Sequence, residues 1–250
     1  MSRLSPAIAC VVGASGGIGR AIAERLAVDP AYARVIAMSR RRPADWRSDD
    51  RRGWIGADIL DEASLAAAAE RIAADRITQA GRLTRIVVAT GRLHGPGLVP
   101  EKSMRALSLE GLSGLFAVNA AGPALVAKHL LPLTPRAEPS LFAALSARVG
   151  SIGDNQLGGW YGYRASKAAL NMLIRSLAIE HRRTRPLCVC VALHPGTVDT
   201  ALSAPFQAGV APARLFSPAQ AAAALLAVMD GLGPTANGGF FAWDGAPIPW

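Results

Sequence analysis

The amino-acid sequence predicts an α/β fold in which a doubly wound parallel sheet has helices on both faces. Short, continuously apolar runs alternate along the chain with stretches of helical periodicity, a pattern typical of parallel strands buried on both sides. A glycine-rich segment, "GASGGIG" at residues 13–19, joins the first apolar run to the first helical stretch. Such sheets bind ligands beyond the carboxyl ends of their strands, so we expect the functional residues there.

Seven strands are predicted. The first is "AIACVV", and the others cover residues 33–39, 53–58, 84–90, 140–146, 187–194 and 238–243. Helical stretches separate most of them, including "IGRAIAERLA", the alanine-rich "EASLAAAAERIAA" and the long "ALNMLIRSLAIEHRR". The sequence contains no linker, repeat or low-complexity tract, so we expect residues 1–250 to form a single domain.

Composition narrows the function classes. The 250 residues are 51% hydrophobic, enough to fill a large core. Apolar runs such as "AAAALLAVM" are too short to span a bilayer, and the N-terminus lacks a signal-peptide pattern, so a cytoplasmic protein without membrane contact is expected. The net charge of +9 comes from scattered clusters such as "SRRRP" and "RSDDRR". These indicate a solvated arginine-rich surface rather than nucleic-acid binding.

The three cysteines are interpreted as core residues. Cys10, Cys188 and Cys190 all lie in apolar, strand-like runs. Cys188 and Cys190 have no second pair of ligands at the spacing of a zinc site, so no metal is expected.

The glycine-rich segment admits three interpretations. Gly13, Ser15 and Gly17 match G-x-S-x-G, the turn that presents a nucleophilic serine in hydrolases, but a hydrolase needs an earlier strand and loop for its oxyanion hole. Only a dozen residues precede Gly13. Read as Gly13-x-x-x-Gly17-x-Gly19, the segment is instead a phosphate-binding turn at a helix N-terminus. A plain structural turn is the third interpretation, and we favour nucleotide binding.

A tyrosine and a lysine form the second motif. Tyr163 and Lys167 are four residues apart, which puts them on the same face of a helix. A nearby ammonium favours phenolate, so such a pair can move a proton near neutral pH. The pair on its own is common in sequences and indicates little.

The combination of motifs resembles the short-chain dehydrogenase/reductase family over essentially the whole chain. The resemblance rests on five features: "GASGGIG", Asn119 in "FAVNAAGP", Ser146, the Tyr163 and Lys167 pair, and "HPGTVDT". The string "SARVGSIGDNQLGGWYGYRASKAALN" is most similar to the C-factor and sniffer-type carbonyl reductases. The resemblance implies a Rossmann-type fold, NAD(P)-dependent hydride transfer between a carbonyl and an alcohol on a small organic substrate, and a homodimer or homotetramer.

The resemblance also implies residue roles. Tyr163 would be the general acid in reduction, Lys167 would hold the nicotinamide ribose and lower the pKa of Tyr163, and Ser146 would orient the substrate oxygen. Asn119 would hold a water that links Lys167 to solvent. Asp58 would contact the adenine, although a helix N-cap is the alternative. The other cofactor contacts would come from Gly13, Ser15, Gly16, Gly17, Ile18, Gly19, Ile59, Gly91, Pro195, Gly196, Val198 and Thr200.

The end of the second predicted strand indicates the cofactor. NAD-binding relatives place an acid there to bond the ribose hydroxyls, whereas "AMSRRRP" offers Ser39 and Arg40. With no carboxylate to repel a 2′-phosphate, we predict NADP(H) over NAD(H). Arg41 and Arg42 are equally explained as a solvated turn.

Two departures from the family pattern leave alternatives open. The usual "NNAG" after the fourth strand is here "VATG", and the usual serine pair before the loop is Ser146 followed by Ala147. Ser146 is favoured as the working serine because strand ends often bulge near active sites. Ser151 is the second choice and a serine-free site the third. A cofactor-binding signalling protein with little turnover is the rival function.

Overall fold

The computed structural model describes residues 6–43, 45–78 and 81–250. Its strands are β1 (Ala7–Val12), β2 (Tyr32–Ser39), β3 (Arg52–Gly56), β4 (Arg82–Val88), β5 (Ser140–Leu145), β6 (Cys188–His194), β7 (Thr197–Val198), β8 (Leu215–Phe216) and β9 (Phe240–Ala242). Seven of them form one parallel sheet in the order β3-β2-β1-β4-β5-β6-β9, and β7 pairs with β8. All seven predicted strands are present. The order reverses between β1 and β4, which opens a crevice at their carboxyl ends.

Helices cover both faces of this sheet. They are α1 (Gly17–Val28), α2 (Glu62–Thr78), α3 (Leu109–Phe116), α4 (Gly122–Leu130), α5 (Tyr161–His181) and α6 (Pro218–Gly231). Buried side chains of α1 and α6 form one core layer, and those of α2, α4 and α5 form the other. The predicted doubly wound α/β fold is confirmed.

The strands are continuously apolar because both of their faces are covered. On β1, Ile8 and Cys10 enter one core layer, whereas Ala9 and Val11 enter the other. Successive side chains of a strand point to opposite faces, so a strand between two helix layers carries no polar face. All three cysteines are free and buried, as predicted.

The helical segment across α3 and α4 is longer than the apolar runs considered in the sequence. In the described part of the chain, Leu109–Leu133 is long and apolar enough to cross a membrane by length and composition. A helix packed on a sheet meets the same criterion, and here Leu115, Val126 and Leu130 are buried in the fold. A π-helical turn, Ala117–Ala121, joins α3 to α4.

Candidate active site

Three glycines of the glycine-rich loop have different structural roles. Gly13 has a φ of +85°, and a Cβ there would lie 3.0 Å from the backbone of Ala89. A Cβ on Gly19 would overlap the carbonyl oxygen of Gly13, so glycine is needed for α1 to pack on β1. Gly16, in contrast, faces open space. The loop therefore makes its turn at Gly13, packs at Gly19, and leaves a ligand free approach at Gly16.

The N-terminus of α1 is ready for an anion. Gly16 is its N-cap and supplies no side-chain hydrogen bond to the first turn. The first amides of a helix lack intrahelical partners, and the helix dipole favours negative charge there. This is the geometry of a phosphate site.

The first cavity lies on the side of the loop that faces β2 and β3. It has a volume of about 510 Å³ and contains eight of the predicted cofactor residues: Gly13, Ser15, Gly16, Ser39, Arg40, Asp58, Ile59 and Gly91. Thr90 lines it too, and its Oγ1 is buried without a hydrogen-bond partner. A buried hydroxyl without a partner is costly, so a polar ligand at this position fits the site. The sequence analysis did not predict Thr90, because "VATG" only shows that the family's usual "NNAG" is absent here.

Asp58 is not the helix N-cap that the sequence offered as an alternative. The cap of α2 is Asp61, whose Oδ1 accepts hydrogen bonds from the backbone N–H groups of Ala63 at 3.1 Å and Ser64 at 3.2 Å. Asp58 Oδ1 accepts from the Leu60 N–H at 3.0 Å, and the residue lines the first cavity. The N-cap interpretation is wrong because α2 begins at Glu62, so the capping position falls on Asp61, three residues after Asp58.

Three arginines surround a neighbouring cavity of about 580 Å³. Its lining consists of Ser15, Arg40, Arg41, Arg42 and Pro43, with no carboxylate among these described residues. Arg42 Nε donates to the backbone oxygen of Trp46 at 2.9 Å, so this guanidinium is partly engaged in its own loop. The position next to Ser15 is therefore positively charged, as a phosphate would require.

A third cavity, with a volume of about 350 Å³, lies on the other side of the glycine loop. Its lining includes Ser146 and Tyr163 together with the predicted cofactor residues Ile18, Pro195, Gly196, Val198 and Thr200. Gly17 lies beside it, because a Cβ on Gly17 would be 3.2 Å from Cγ2 of Thr200. The fold thus brings the predicted proton donor and the preferred serine to one cavity.

Ser146 reaches this cavity without the predicted bulge. The pairing of β5 with β6 is regular through Leu145, and the Ser146 N–H still donates to the Leu193 oxygen at 2.8 Å. The chain then turns, so the strand end itself places Ser146 at the cavity, where its Oγ donates to Asn171 Oδ1 at 2.7 Å.

Ser151 has a different environment. Its Oγ donates to the backbone oxygen of Pro249 at 2.5 Å and accepts from the Asp154 N–H at 3.2 Å. It is 2% exposed and is absent from the lining of the cavity that holds Tyr163. Through these contacts, Ser151 links the loop after β5 to the last residues of the chain.

Tyr163 and Lys167 lie side by side on α5, as their spacing predicts. Lys167 Nζ is 5.9 Å from the centroid of the Tyr163 ring and donates to the Leu145 oxygen at 2.8 Å. Burial lowers the pKa of Lys167 to about 8 and raises the pKa of the Tyr163 phenol above its ordinary value. This direction is opposite to the predicted lowering, because burial disfavours both charged forms. Tyr163 is therefore protonated at neutral pH.

Asn119 sits in the π-helical turn between α3 and α4, a feature common at functional sites. Its amide accepts from the Arg92 N–H and donates to the Arg92 oxygen, both at 2.8 Å, and donates to Ser166 Oγ at 3.0 Å. A Cβ on Gly91 would be 3.7 Å from both Asn119 Oδ1 and Lys167 Nζ. Asn119 therefore ties down the loop after β4, where the "NNAG" asparagines are missing.

His194 was also missed in the sequence. It lines the same cavity as Tyr163 and Ser146, and its Nδ1 is buried without a partner. Burial, reinforced by the charge of Arg148, lowers the pKa of His194 to about 4, so the ring is neutral at pH 7. The only sequence signal for His194 is its position directly before "PGTVDT".

The crevice of the sheet, the glycine loop and the three cavities beside it define a nicotinamide-dependent oxidoreductase of the Rossmann type. Residues 7–211 match the family described as short chain dehydrogenase. The chain belongs to this family of oxidoreductase enzymes. Membership favours the cofactor-binding interpretation of the glycine loop over the hydrolase one.

Relatives of known name agree with this assignment. The chain is 38% identical to the C-signal of Myxococcus xanthus over 135 residues, covering 54% of this chain and 76% of that protein. It is 30% identical to 1-hydroxy-2-glutathionyl-2-methyl-3-butene dehydrogenase of Rhodococcus over 240 residues, 96% and 98% of the two chains.

Solved structures share the fold. The carbonyl reductase Sniffer of D. melanogaster superposes with a TM-score of 0.84 at 23% identity, covering 98% of this chain and 100% of that one. The NADPH-bound carbonyl reductase from chicken fatty liver gives a TM-score of 0.81 at 23% identity, with coverages of 98% and 94%. The protein thus belongs to the short-chain dehydrogenase family and shares its fold with these carbonyl reductases.

Proposed function

We propose that the protein is an NADP(H)-dependent oxidoreductase that interconverts a carbonyl and an alcohol on a small organic substrate, with Tyr163 as the general acid and base. The observation that carries this proposal is the shared cavity of Tyr163 and Ser146, with Lys167 buried directly beside the tyrosine ring. A proton donor, a hydroxyl and a cation converge there at the carboxyl ends of β5 and β6.

A nicotinamide cofactor, when bound, would supply or accept the hydride. In reduction, the protonated Tyr163 donates its phenolic proton to the carbonyl oxygen, which the Ser146 hydroxyl orients. Lys167, with a pKa of about 8, holds or releases a proton close to Tyr163 in the neutral range. Asn119 keeps the loop after β4 against this group through its two hydrogen bonds to Arg92.

Charge supports NADP(H) as the cofactor. A 2′-phosphate placed beyond the end of β2 would meet the cavity formed by Ser15 and the three arginines Arg40, Arg41 and Arg42. Arg40 also lines the first cavity with Asp58 and Gly91, so it borders both the proposed adenosine side and the arginine-lined cavity. Charge-assisted hydrogen bonds from guanidinium to phosphate are among the stronger ones in proteins.

Exposed apolar surface supports a homodimer. Small residues lie on α5 and the π-helical turn, where Ala120 is buried, whereas Ala121 and Ala165 are exposed. Nearby, 37% of the Phe116 surface and 65% of the Met172 surface are exposed. Small exposed residues beside apolar ones allow two helix pairs to approach closely, so a second copy of this chain is the proposed partner, in a dimer or a tetramer. A cytoplasmic location remains part of the proposal.

A signalling role is the second candidate function. It is favoured by the 38% identity to a protein named C-signal and by alanine, instead of a second serine, at position 147. In that case the protein would bind the cofactor with little turnover.

The change Tyr163→Phe tests the proposed reaction. It removes only the hydroxyl, so the fold and the affinity for NADPH should survive, while kcat for an accepted carbonyl substrate drops by roughly 10²- to 10⁴-fold. The measurement is NADPH absorbance across a panel of aldehydes and ketones. Near-native kcat in the variant would remove Tyr163 from the reaction. Binding of NADPH without consumption by the wild type would favour the signalling function.

A further inference from the structure

Trp160 and Phe206 form an aromatic wall next to Tyr163, and proton transfer by Tyr163 does not require this wall. The Trp160 ring is 4.9 Å from the Phe206 ring at an interplanar angle of 62°, and 6.2 Å from the Tyr163 ring at 73°. Trp160 and Phe206 line the cavity that also holds Tyr163 and Ser146. A substrate with its carbonyl group at Tyr163 would therefore place its adjoining atoms against this wall.

The backbone of Trp160 adopts a costly conformation. Trp160 has a φ of 51° and a ψ of 40°, in the left-handed region, and is the only such residue other than glycine in the described ranges. Gly158 and Gly159 before it each have a φ of +63°. A bulky residue is rare in that region, and such strain is concentrated at ligand sites.

Glu101 holds this conformation in place. Its backbone oxygen accepts from the Trp160 N–H at 2.5 Å, and its carboxylate Oε2 accepts from the Gly162 N–H at 3.2 Å. Glu101 is 5% exposed. Since α5 has no side-chain cap from its own N-cap residue, these two bonds fix both the start of the helix and the indole beside it.

Apart from Arg148, the rest of the cavity wall is apolar or uncharged. Its aliphatic part includes Ile18, Leu93, Val149, Leu202 and Val210. The Arg148 guanidinium is paired with Asp154 at 2.8 Å. The cavity thus offers aromatic faces and edges close to the reacting group and no unpaired cation among these groups for an anionic substrate.

We propose that Trp160 is a specificity-determining residue and that it selects neutral carbonyl compounds whose carbonyl group adjoins a flat, conjugated ring. A flat ring can stack or pack edge-to-face on the Trp160 and Phe206 pair, and such contacts add to the binding that buried area alone provides. A saturated ring of the same size is thicker and lacks this interaction. The proposal rests on the proposed function for the identity of the reacting group, but the ring preference is a property of binding.

The test compares two alcohols of matched size, benzyl alcohol and cyclohexylmethanol, titrated by ligand-observed NMR against protein in the presence of NADPH, because the reduced cofactor cannot oxidise an alcohol. The measured quantity is the ratio of their dissociation constants. Comparing this ratio between the wild type and each variant removes the contribution of the ligands' own hydrophobicity. Trp160→Leu keeps an apolar side chain but removes the ring, and Trp160→Phe keeps a ring. We expect the ratio to move against benzyl alcohol by about fivefold in the leucine variant and by less than about twofold in the phenylalanine variant.

Tyr161→Leu is the matched control, since Tyr161 is the adjacent aromatic residue and is not part of the cavity lining. It should leave the ratio unchanged. An unchanged ratio in Trp160→Leu, or equal shifts in the leucine and phenylalanine variants, would overturn the proposal.

A parallel assay of benzaldehyde with NADPH separates this inference from the proposed function. If NADPH is not consumed and the shift in the ratio persists, reduction fails and the ring preference stands. If benzaldehyde is reduced and the ratio does not depend on Trp160, the inference alone fails.

Discussion

Ser146 and Ser151 make a matched pair of mutations, because both are buried serines whose hydroxyl donates one hydrogen bond. Ser146 is 4% exposed and donates to Asn171, whereas Ser151 is 2% exposed and donates to the Pro249 oxygen. Only Ser146 lines the cavity of Tyr163. Changing each to alanine therefore separates a role in the reaction from a role in holding the fold.

The two variants should lose different quantities. A hydrogen bond that strengthens in the transition state contributes roughly 2.7 to 4 kcal/mol, so Ser146→Ala should lower kcat by about a hundredfold or more. Ser151→Ala leaves the Pro249 oxygen and the Asp154 N–H without their partner, which should cost about 1 to 3 kcal/mol of folding free energy. Its kcat should stay near the wild-type value.

Steady-state kinetics on one accepted carbonyl and urea unfolding of both variants measure these effects. A large loss of kcat in Ser151→Ala with a small one in Ser146→Ala would refute the assignment made from the cavity lining. Small kinetic losses in both would mean that the site works without a serine, which would strengthen the signalling function.

Three further predictions concern the cofactor, the assembly and acid stability. Arg40→Ala should weaken NADPH binding by roughly ten- to a hundredfold and leave NADH nearly unchanged, since a charge-assisted bond contributes about 1.5 to 3 kcal/mol; equal losses by calorimetry would contradict the phosphate role. Light scattering at micromolar concentration should show a dimer that Ala165→Arg converts to monomer, and a monomeric wild type would count against the interface. The pKa of His194 is lowered from 6.5 to about 4, so the unfolded state binds more protons in that window and stability falls as the pH drops through it. Urea unfolding should show that His194→Gln loses less stability there than the wild type, by up to about 3 kcal/mol, and parallel curves would refute this.

Local patterns in the sequence predicted most of the fold. A strand covered on both faces must be apolar throughout, so the runs around Cys10 and Cys190 indicate buried strands without further information. The spacing of Tyr163 and Lys167 places them together because the helix repeat is a local property. The glycines at 13 and 19 are likewise required by a single turn and a single helix contact.

The tertiary structure decided what depends on distant segments. Ser151 is removed from the candidate site by a bond to Pro249, 98 residues along the chain, which no local pattern contains. The pKa of Tyr163 rises because several elements together bury it, although its lysine neighbour alone predicts the opposite. Trp160 meets Phe206 only through the packing of two loops. Periodicity reports which face of an element is buried, whereas burial depth and partners between segments follow from how all the elements pack.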